Sequence, residues 1–296
     1  MGFDSIVLVK QVPDTAHISD DVMKPDGTIN RAMLPAVFNP EDRVALELAL
    51  QIKDRYGGTV TAITMGPPKA SEILRECYYS GADSVYLISD RKFAGADTLA
   101  TSYVLSEAIK KIGNFDIIFA GRQAIDGDTA QVGPQIAEKL GLPQLTYTEK
   151  ILKITRSKIT VKRQTDIGYE ILESTLPALI TVVEDAARPR PFKAKRVMFF
   201  KNAKSLLELE AKAEENPLTY VENMKLKYQD KKLFIPTITR DELDIEMNKC
   251  GLEGSPTKVY KIESVVVKGG EHIKIEPSQK GLNRLVAKLI EDRIFG

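Results

Sequence analysis

The segment from Gly121 to Pro134, with the sequence GRQAIDGDTAQVGP, combines the residue types that can bind an anion. Gly121 directly follows an apolar, strand-like run, and Gly127 and Thr129 precede a segment with helical periodicity. Free backbone N–H groups at the start of a helix point toward an anion, so a phosphate fits there. A well-capped helix whose acidic residues complement its dipole explains the same pattern, and two carboxylates, Asp126 and Asp128, argue mildly against a phosphate.

Three other segments also follow strand-like runs. Lys10 to Thr15 opens an excursion to Asn39 that is far longer than an ordinary βα loop, and it is either a functional loop or a disordered one. Thr64, Met65 and Gly66 precede two prolines, which an ordinary strand–helix turn also explains. Asp97 with Thr98 and Thr101 opens a helix, for which a capping role suffices.

The elements that position these segments predict an α/β fold. Apolar runs at Ser5 to Val9, Thr59 to Met65, Ser84 to Ile88 and Asp116 to Ala120 alternate with helical segments beginning near 40, 69, 98 and 129. Asn39 is a suitable N-cap before Pro40. The pattern indicates a doubly wound, mostly parallel sheet of the adenine-nucleotide-binding type, which binds ligands at the carboxyl ends of its strands.

The second half of the chain is different. Short alternating runs between 151 and 183, the last of them Ala178 to Val183, predict an antiparallel extension at the sheet edge. A basic, Pro-rich arm with no evident partner within the domain follows from Arg188, and 279–294 predicts an amphipathic helix that must pack on something. We therefore expect a nucleotide-binding domain with its extension over 1–204, and a C-terminal arm and helix over 205–296 that pack on a partner subunit.

Composition excludes several classes of function. A formal net charge of +1 gives no reason to expect a nucleic-acid partner, and no apolar run is long enough to cross a bilayer. Cys77 and Cys250 stand far apart, and without a signal peptide the sequence predicts a reducing, cytoplasmic location. Walker A, Gly-x-Gly-x-x-Gly, Gly-x-Ser-x-Gly and zinc-site patterns are missing, and His17 and His272 are too few for a triad. We expect no catalytic side chain and no metal, so the chemistry belongs to a cofactor.

Several segments together resemble the beta subunit of electron-transfer flavoproteins. They are KQVPDT at 10–15, NPEDRVALELAL from Asn39, MGP at 65–67 and GRQAIDGDTAQ at 121–131, and the resemblance spans roughly residues 3–204. It implies a heterodimer with an alpha subunit that binds FAD. The chain lacks the Tyr-Ala-x-Leu run with which the family grips its dehydrogenases, so the resemblance does not identify that partner.

In the family, the beta subunit holds either AMP as a structural ligand or, in bifurcating members, a second FAD that accepts hydride from NADH. The segments at Asp97–Ser102 and Gly127–Ala130 and the long C-terminus resemble the bifurcating members, where electrons pass to ferredoxin and, through the alpha FAD, to an acyl-CoA or hydroxy-acid dehydrogenase. We therefore expect an electron-transfer subunit that oxidises NADH only within a complex. The alternatives are a subunit that binds AMP and a nucleotide sensor without a redox role.

The loops and the resemblance together predict the cofactor site. Its expected residues are Leu8, Val9, Lys10, Pro13, Asn39, Asp42, Thr64, Met65, Gly66, Asp97, Thr98, Thr101, Gly121, Gln123, Asp126, Gly127, Asp128, Thr129, Ala130, Gln131, Val132, Gly133 and Pro134.

Overall fold

The computed structural model describes residues 2–14, 34–213, 217–257 and 274–291. The strands are β1 (Ser5–Leu8), β2 (Gln11–Pro13), β3 (Ala36–Phe38), β4 (Val60–Met65), β5 (Ser84–Ile88), β6 (Ile117–Gly121), β7 (Gln144–Ile154), β8 (Lys158–Thr165), β9 (Gly168–Thr175), β10 (Ala178–Val182), β11 (Lys204–Ser205), β12 (Phe234–Ile235) and β13 (Thr237–Ile238). The helices are α1 (Pro40–Tyr56), α2 (Ser71–Ser80), α3 (Thr98–Ile112), α4 (Val132–Leu140), α5 (Ala194–Phe200), α6 (Leu206–Glu210), α7 (Pro217–Asp230) and α8 (Gln279–Glu291).

The main sheet has nine strands in the order β13-β5-β4-β1-β6-β10-β7-β8-β9. From β13 to β7 neighbouring strands run parallel, and β8 and β9 add an antiparallel hairpin. Its two faces carry separate cores. Residues of α1 and α2 pack with Val7 and Phe119 on one side, whereas residues of α3 and α4 pack with Ile6 and Ile118 on the other. The α/β class with a large, mostly parallel sheet and an antiparallel portion is confirmed.

One strand lies elsewhere than the sequence predicted. Ala178–Val182 is fully buried and pairs in parallel with both β6 and β7, so it belongs to the parallel sheet and not to the antiparallel extension. Its continuous apolar character is typical of a strand covered on both faces. The eleven-residue β7 reaches both regions because its register shifts near Tyr147, whose φ is 56°. It pairs first with β10 and then with β8.

Two helix starts also differ from expectation. The helix predicted from Thr129 begins at Val132, because Asp128 and Ala130 have φ values of 49° and 53° that an α-helix does not allow. Asn39 precedes α1 as predicted, but its side chain does not cap that helix. Asp97 does cap α3 by accepting a hydrogen bond from the N–H of Ala100 at 3.0 Å.

The sequence predicted a basic arm with no evident partner within the domain, but the structure shows that the arm has partners there. Arg190 forms ion pairs with Glu47 at 2.7 Å and with Asp54 at 2.9 Å, both on α1. Arg196 donates to the backbone carbonyl of Tyr78, and Phe200 stacks on the Tyr78 ring. The arm therefore packs along α1 and α2.

The division after residue 204 stays a prediction, although part of the second segment completes the first. Thr237 and Ile238 form the edge strand beside β5, and β12 pairs with β11. None of the helices in the described part of the chain has the length and hydropathy needed to cross a bilayer.

Candidate functional site

A cavity of about 950 Å³ lies at the carboxyl ends of β1, β4, β5 and β6. This edge is where open parallel sheets bind ligands. The predicted residues that line the cavity are Leu8, Val9, Lys10, Asp42, Met65, Gly66, Asp97, Thr98, Thr101, Gly121, Gln123, Gly127, Asp128, Thr129, Ala130, Gln131, Val132 and Gly133. The fold thus brings the four predicted segments together, while their role toward a ligand stays a prediction.

Five predicted residues do not line the cavity. Asn39 is fully buried, and Thr64 is buried on the same sheet face as Ala62, which packs toward α1 and α2. Asp126 pairs with Lys10, Pro13 ends the β2 strand and Pro134 lies within the first turn of α4. Asn39 supports the site from behind through its hydrogen bonds to the loop after β6.

The start of α1 holds the loop that follows β6. The Asn39 amide donates to the carbonyl of Gln123 at 2.9 Å and accepts from the N–H of Ile125 at 3.1 Å. The Glu41 carboxylate accepts from the N–H of Gln123 at 2.8 Å and pairs with Arg122 at 2.8 Å. Three polar side chains of the NPED segment, including Asp42, therefore fix the backbone of this loop.

Asp42 joins the loops after β1 and β6. Its carboxylate accepts hydrogen bonds from the N–H of Lys10 at 2.8 Å and the N–H of Gly121 at 3.0 Å. Burial raises the pKa of Asp42 to about 7 against the lowering effect of these hydrogen bonds. Burial also raises the pKa of Glu41, in spite of its hydrogen bond from Gln123 and the Arg122 charge.

The close approach of α1 explains the first glycine of the motif. A Cβ at Gly121 would lie 2.5 Å from Asp42 Oδ1, and one at Gly133 would lie 2.7 Å from Thr181 Cγ2 on β10. Both glycines therefore serve packing within the protein. In contrast, a Cβ at Gly127 would meet nothing within 4 Å, so the protein itself leaves space at that position.

Two helix N-termini meet at the cavity wall. The Thr98 hydroxyl at the start of α3 donates to Gln131 Oε1 at 2.8 Å, just before α4. The first-turn N–H groups of Val132 and Gly133 have no acceptor within their own helix. Together with the N-terminus of α3, they direct the positive ends of two helix dipoles toward this wall, and the Asp97 carboxylate that caps α3 offsets part of that charge.

The charges in the loops are largely paired. Lys10 Nζ lies 2.7 Å from Asp126 Oδ1, and Gln123 donates to Asp128 Oδ1 at 3.0 Å. Arg122 also lies over the Tyr147 ring at 5.8 Å. Within the described ranges, no group of three or more His, Cys, Asp or Glu side chains could hold a metal ion.

Sequence reasoning missed two parts of the wall. One is the loop after β5, where Ser89 to Arg91 and Phe93 to Ala96 line the cavity, and the rule that ligands bind after each strand could have identified it. The other is Thr257, which lies far away in the sequence and carried no signal. Apolar residues from the strands, the loop after β5 and α3, among them Ile63, Phe93 and Leu105, complete the lining.

A doubly wound α/β sheet with a large cavity at its carboxyl edge is typical of proteins that bind a ligand there. Comparison with known proteins identifies the family. Residues 26–205 match the model of the electron transfer flavoprotein domain, and curated beta subunits match nearly the whole chain. The chain belongs to the electron-transfer flavoprotein beta-subunit family.

Three relatives illustrate the match. The electron transfer flavoprotein subunit beta of Clostridium acetobutylicum is 40% identical over 97% of this chain and 98% of its own length. The acryloyl-CoA reductase electron transfer subunit gamma of Anaerotignum propionicum is 43% identical over 98% of both chains. The caffeyl-CoA reductase-Etf complex subunit CarD of Acetobacterium woodii is 42% identical over 98% of this chain and 99% of its own.

Proposed function

We propose that this chain is the beta subunit of a heterodimeric electron-transfer flavoprotein and that its cavity binds FAD. The observation that carries the proposal is the cavity itself. Loops after four neighbouring parallel strands, β5, β4, β1 and β6, converge on one space of about 950 Å³. This volume is near the upper end of the range for small-molecule sites, about 300–1,000 Å³. FAD has more than twice as many heavy atoms as AMP, and a cavity of this size favours the larger ligand.

The residues present are suited to an adenine dinucleotide. The helix N-termini at Thr98 and Val132 provide a wall suited to phosphate, and the free space at Gly127 lets a ligand approach the loop backbone. Met65, Pro67 and Val132, which line the cavity and are at least partly exposed, offer apolar surface for flat rings. Of the two acidic residues that counted against a phosphate, Asp126 forms an ion pair with Lys10. Asp128 lines the cavity and accepts from the neutral Gln123 amide, so its charge still counts against a phosphate.

Bound FAD would supply hydride acceptance from NADH and electron transfer onward, to ferredoxin and to the FAD of the alpha subunit. The part of this chain is to bind and orient the cofactor. The first turn of α1 fixes the loop after β6, Asp42 ties that loop to β1, and the apolar wall excludes water. The described cavity wall offers no histidine or cysteine for acid–base or nucleophilic chemistry.

The names of two relatives support the choice of final acceptor. The acryloyl-CoA reductase and caffeyl-CoA reductase subunits match this chain over nearly its full length, and their names place them with enzymes that reduce acyl-CoA compounds. We therefore propose an acyl-CoA dehydrogenase-type enzyme as the downstream partner. Ferredoxin is the low-potential acceptor in this proposal.

The cofactor content of the complex tests the first part of the proposal, that this chain binds FAD. The chain is co-expressed with its alpha subunit, the complex is denatured, and released FAD and AMP are separated and counted per heterodimer. We expect two FAD. One FAD with one AMP would replace the proposal by an AMP-binding subunit, and a chain with nucleotide but no flavin in the complex would indicate a sensor.

The dependence of ferredoxin reduction on the other substrates tests the second part of the proposal, electron bifurcation. The complex is assayed with NADH, ferredoxin and a high-potential acceptor, added together and in pairs. We expect ferredoxin reduction only when all three are present. Reduction of the high-potential acceptor from NADH without any ferredoxin reduction would contradict bifurcation while leaving the FAD site in place.

A further inference from the structure

A short segment near the C-terminal part of the chain, residues 251–257, lies against the loop that follows β5. We call it the strap. Its turn depends on Gly251, whose φ is 57° and whose Cβ would lie 2.1 Å from the carbonyl oxygen of Lys92. The Leu252 N–H donates to the carbonyl of Ala94 at 3.0 Å. Next to the strap, Cys250 is buried in the same core as Phe93, so the segment is anchored by packing as well.

Asp97 holds the strap through two hydrogen bonds, and a third within the strap extends one of them. Its N–H donates to Ser255 Oγ at 2.8 Å, and Ser255 Oγ donates in turn to the carbonyl of Gly251 at 2.7 Å. The N–H of Thr257 donates to Asp97 Oδ2 at 3.0 Å. Ser255 is only 3% exposed, which makes this contact a buried one.

The same carboxylate serves the helix and the strap with different oxygens. Asp97 Oδ1 accepts from Ala100 and caps α3, while Oδ2 accepts from Thr257. Burial acts to raise the pKa of Asp97, but the backbone hydrogen bonds from Ala100 and Thr257 outweigh it, and the pKa is lowered overall. Asp97 is therefore ionised near neutral pH, when both bonds are strongest.

The strap reaches the proposed nucleotide site. Thr257 lines the cavity next to Asp97 and Thr98, where the helix N-termini meet. It approaches from outside the parallel sheet, and it is separated from the matched family domain, residues 26–205, by a long stretch of sequence. Its hydrogen bonds join it to the loop after β5 and to Asp97.

We propose that the strap retains the adenine nucleotide in its site, and that Asp97 is the positioning residue that holds Thr257 at the cavity wall. This inference rests on the proposed nucleotide site and adds an element to it. Asp97 acts on the strap through its Oδ2, which accepts from the Thr257 N–H, and through its own N–H, which donates to Ser255.

Asp97→Asn separates the two roles of this side chain. Asparagine caps a helix about as well as aspartate, so the bond to Ala100 survives. Its remaining amide NH₂ cannot accept a hydrogen bond from the Thr257 N–H. Ser255→Ala removes the second link without changing a charge. Ser174→Ala is the matched control, because the Ser174 hydroxyl also bonds a backbone carbonyl but lies on β9.

The variants are tested in the complex with the alpha subunit by counting retained FAD and AMP after prolonged dialysis. Losing a hydrogen bond to a charged group corresponds to a loss of affinity of roughly tenfold or more. We expect Asp97→Asn and Ser255→Ala to lose the nucleotide of this chain while Ser174→Ala keeps it. Hydrogen–deuterium exchange should show that nucleotide protects residues 251–257 in the wild type but not in Asp97→Asn, with the Ala100 amide protected in both.

The outcomes separate this inference from the proposed function. A wild-type complex that holds no nucleotide beyond the alpha-subunit flavin would contradict the proposed function itself. The proposed role of the strap would be overturned if the wild-type complex holds this nucleotide and the variants retain it equally, with equal protection of residues 251–257. Tighter retention in Asp97→Asn would also overturn it, because the carboxylate would then act only by repelling phosphate.

Discussion

The carboxylate of Asp42 accepts a hydrogen bond from the N–H of Gly121 at 3.0 Å, and this single contact joins the first turn of α1 to the end of β6. A second bond from the N–H of Lys10 at 2.8 Å adds the end of β1. Three elements that lie far apart along the chain are thus fixed at one point beside the cavity. The polar side chains behind the site organise it by holding the backbone of the surrounding loops through direct hydrogen bonds.

Asp42→Ala should therefore destabilise the protein and weaken nucleotide binding together. It leaves the N–H groups of Lys10 and Gly121 without their acceptor, and each unsatisfied buried donor costs about 1–3 kcal/mol. Urea unfolding and a binding titration measure the two effects. A variant with unchanged stability would show that water replaces the carboxylate and that these hydrogen bonds contribute nothing to the free energy of unfolding.

The stability contributed by Asp42 should depend on pH. Its pKa in the folded state, about 7, lies above the ordinary value of an unfolded aspartate, so the folded state binds the proton more tightly. The contribution is complete below the unfolded pKa of roughly 4 and is lost as pH rises through 7, with a slope of at most about 1.4 kcal/mol per pH unit. Unfolding of the wild type and Asp42→Asn at pH 5, 6, 7 and 8 checks this. A difference that is constant over that range contradicts the raised pKa.

Asn39→Ala should weaken nucleotide binding although Asn39 does not line the cavity. The variant removes the amide that holds the Gln123 carbonyl and the Ile125 N–H, so the loop after β6 loses its support. We expect a loss of affinity of roughly tenfold, about 1.4 kcal/mol. Asn202→Ala, at an exposed turn position, is the control. Equal binding by both variants would mean that the loop holds its shape without Asn39.

The sequence was sufficient to predict the central strands with their helices and the sheet edge at which the cavity lies. Buried parallel strands and their helices follow from local periodicity, and the carboxyl-edge rule then places the loops together. It was not sufficient for Ala178–Val182, because an apolar run of five residues does not reveal which strand it pairs with. Strand order is decided by contacts distant in sequence.

The roles of single residues were harder to predict than their location. Asn39 looks like a helix cap from its neighbours, yet its amide binds a loop more than eighty residues away. Thr257 joins the cavity through Asp97, a contact that no local pattern encodes. Gly121 and Gly133 were predicted as residues of the cofactor site, and no sequence pattern showed that the close approach of α1 and β10 requires them.

Two glycines of the motif should respond differently to substitution. Gly133→Ala forces a Cβ toward Thr181, and overpacking of this kind costs about 1–3 kcal/mol. Gly127→Val meets no protein atom, so its stability should change by no more than about 0.5 kcal/mol, while nucleotide affinity falls at least about tenfold. Unfolding and titration of both variants separate the effects. Full affinity in Gly127→Val would remove Gly127 from the site.

The ion pair of Lys10 and Asp126 should affect binding more than stability. Both side chains are partly exposed, and such pairs contribute about 0–1 kcal/mol to folding. Lys10 lines the cavity, so Lys10→Met should lower nucleotide affinity, whereas Asp126→Asn frees the ammonium and should raise it. Titrations at low and high salt measure both, and the differences should shrink as salt screens the charges. Changes of the same sign in the two variants would contradict a phosphate near Lys10.

The apolar face of α8 should make the isolated chain associate with itself or with other proteins. Leu282, Val286 and Ile290 lie on one side of this helix and are 52%, 48% and 56% exposed, and aligned apolar residues of this kind mark an interaction surface. Changing all three to Gln should make the chain monodisperse in light scattering and weaken its association with the alpha subunit in a pull-down. Leu226→Gln, which alters a single exposed leucine on α7, should change neither result. If the wild-type chain alone is a monodisperse monomer, or if the triple variant still binds the alpha subunit with full affinity, α8 is not part of the subunit interface.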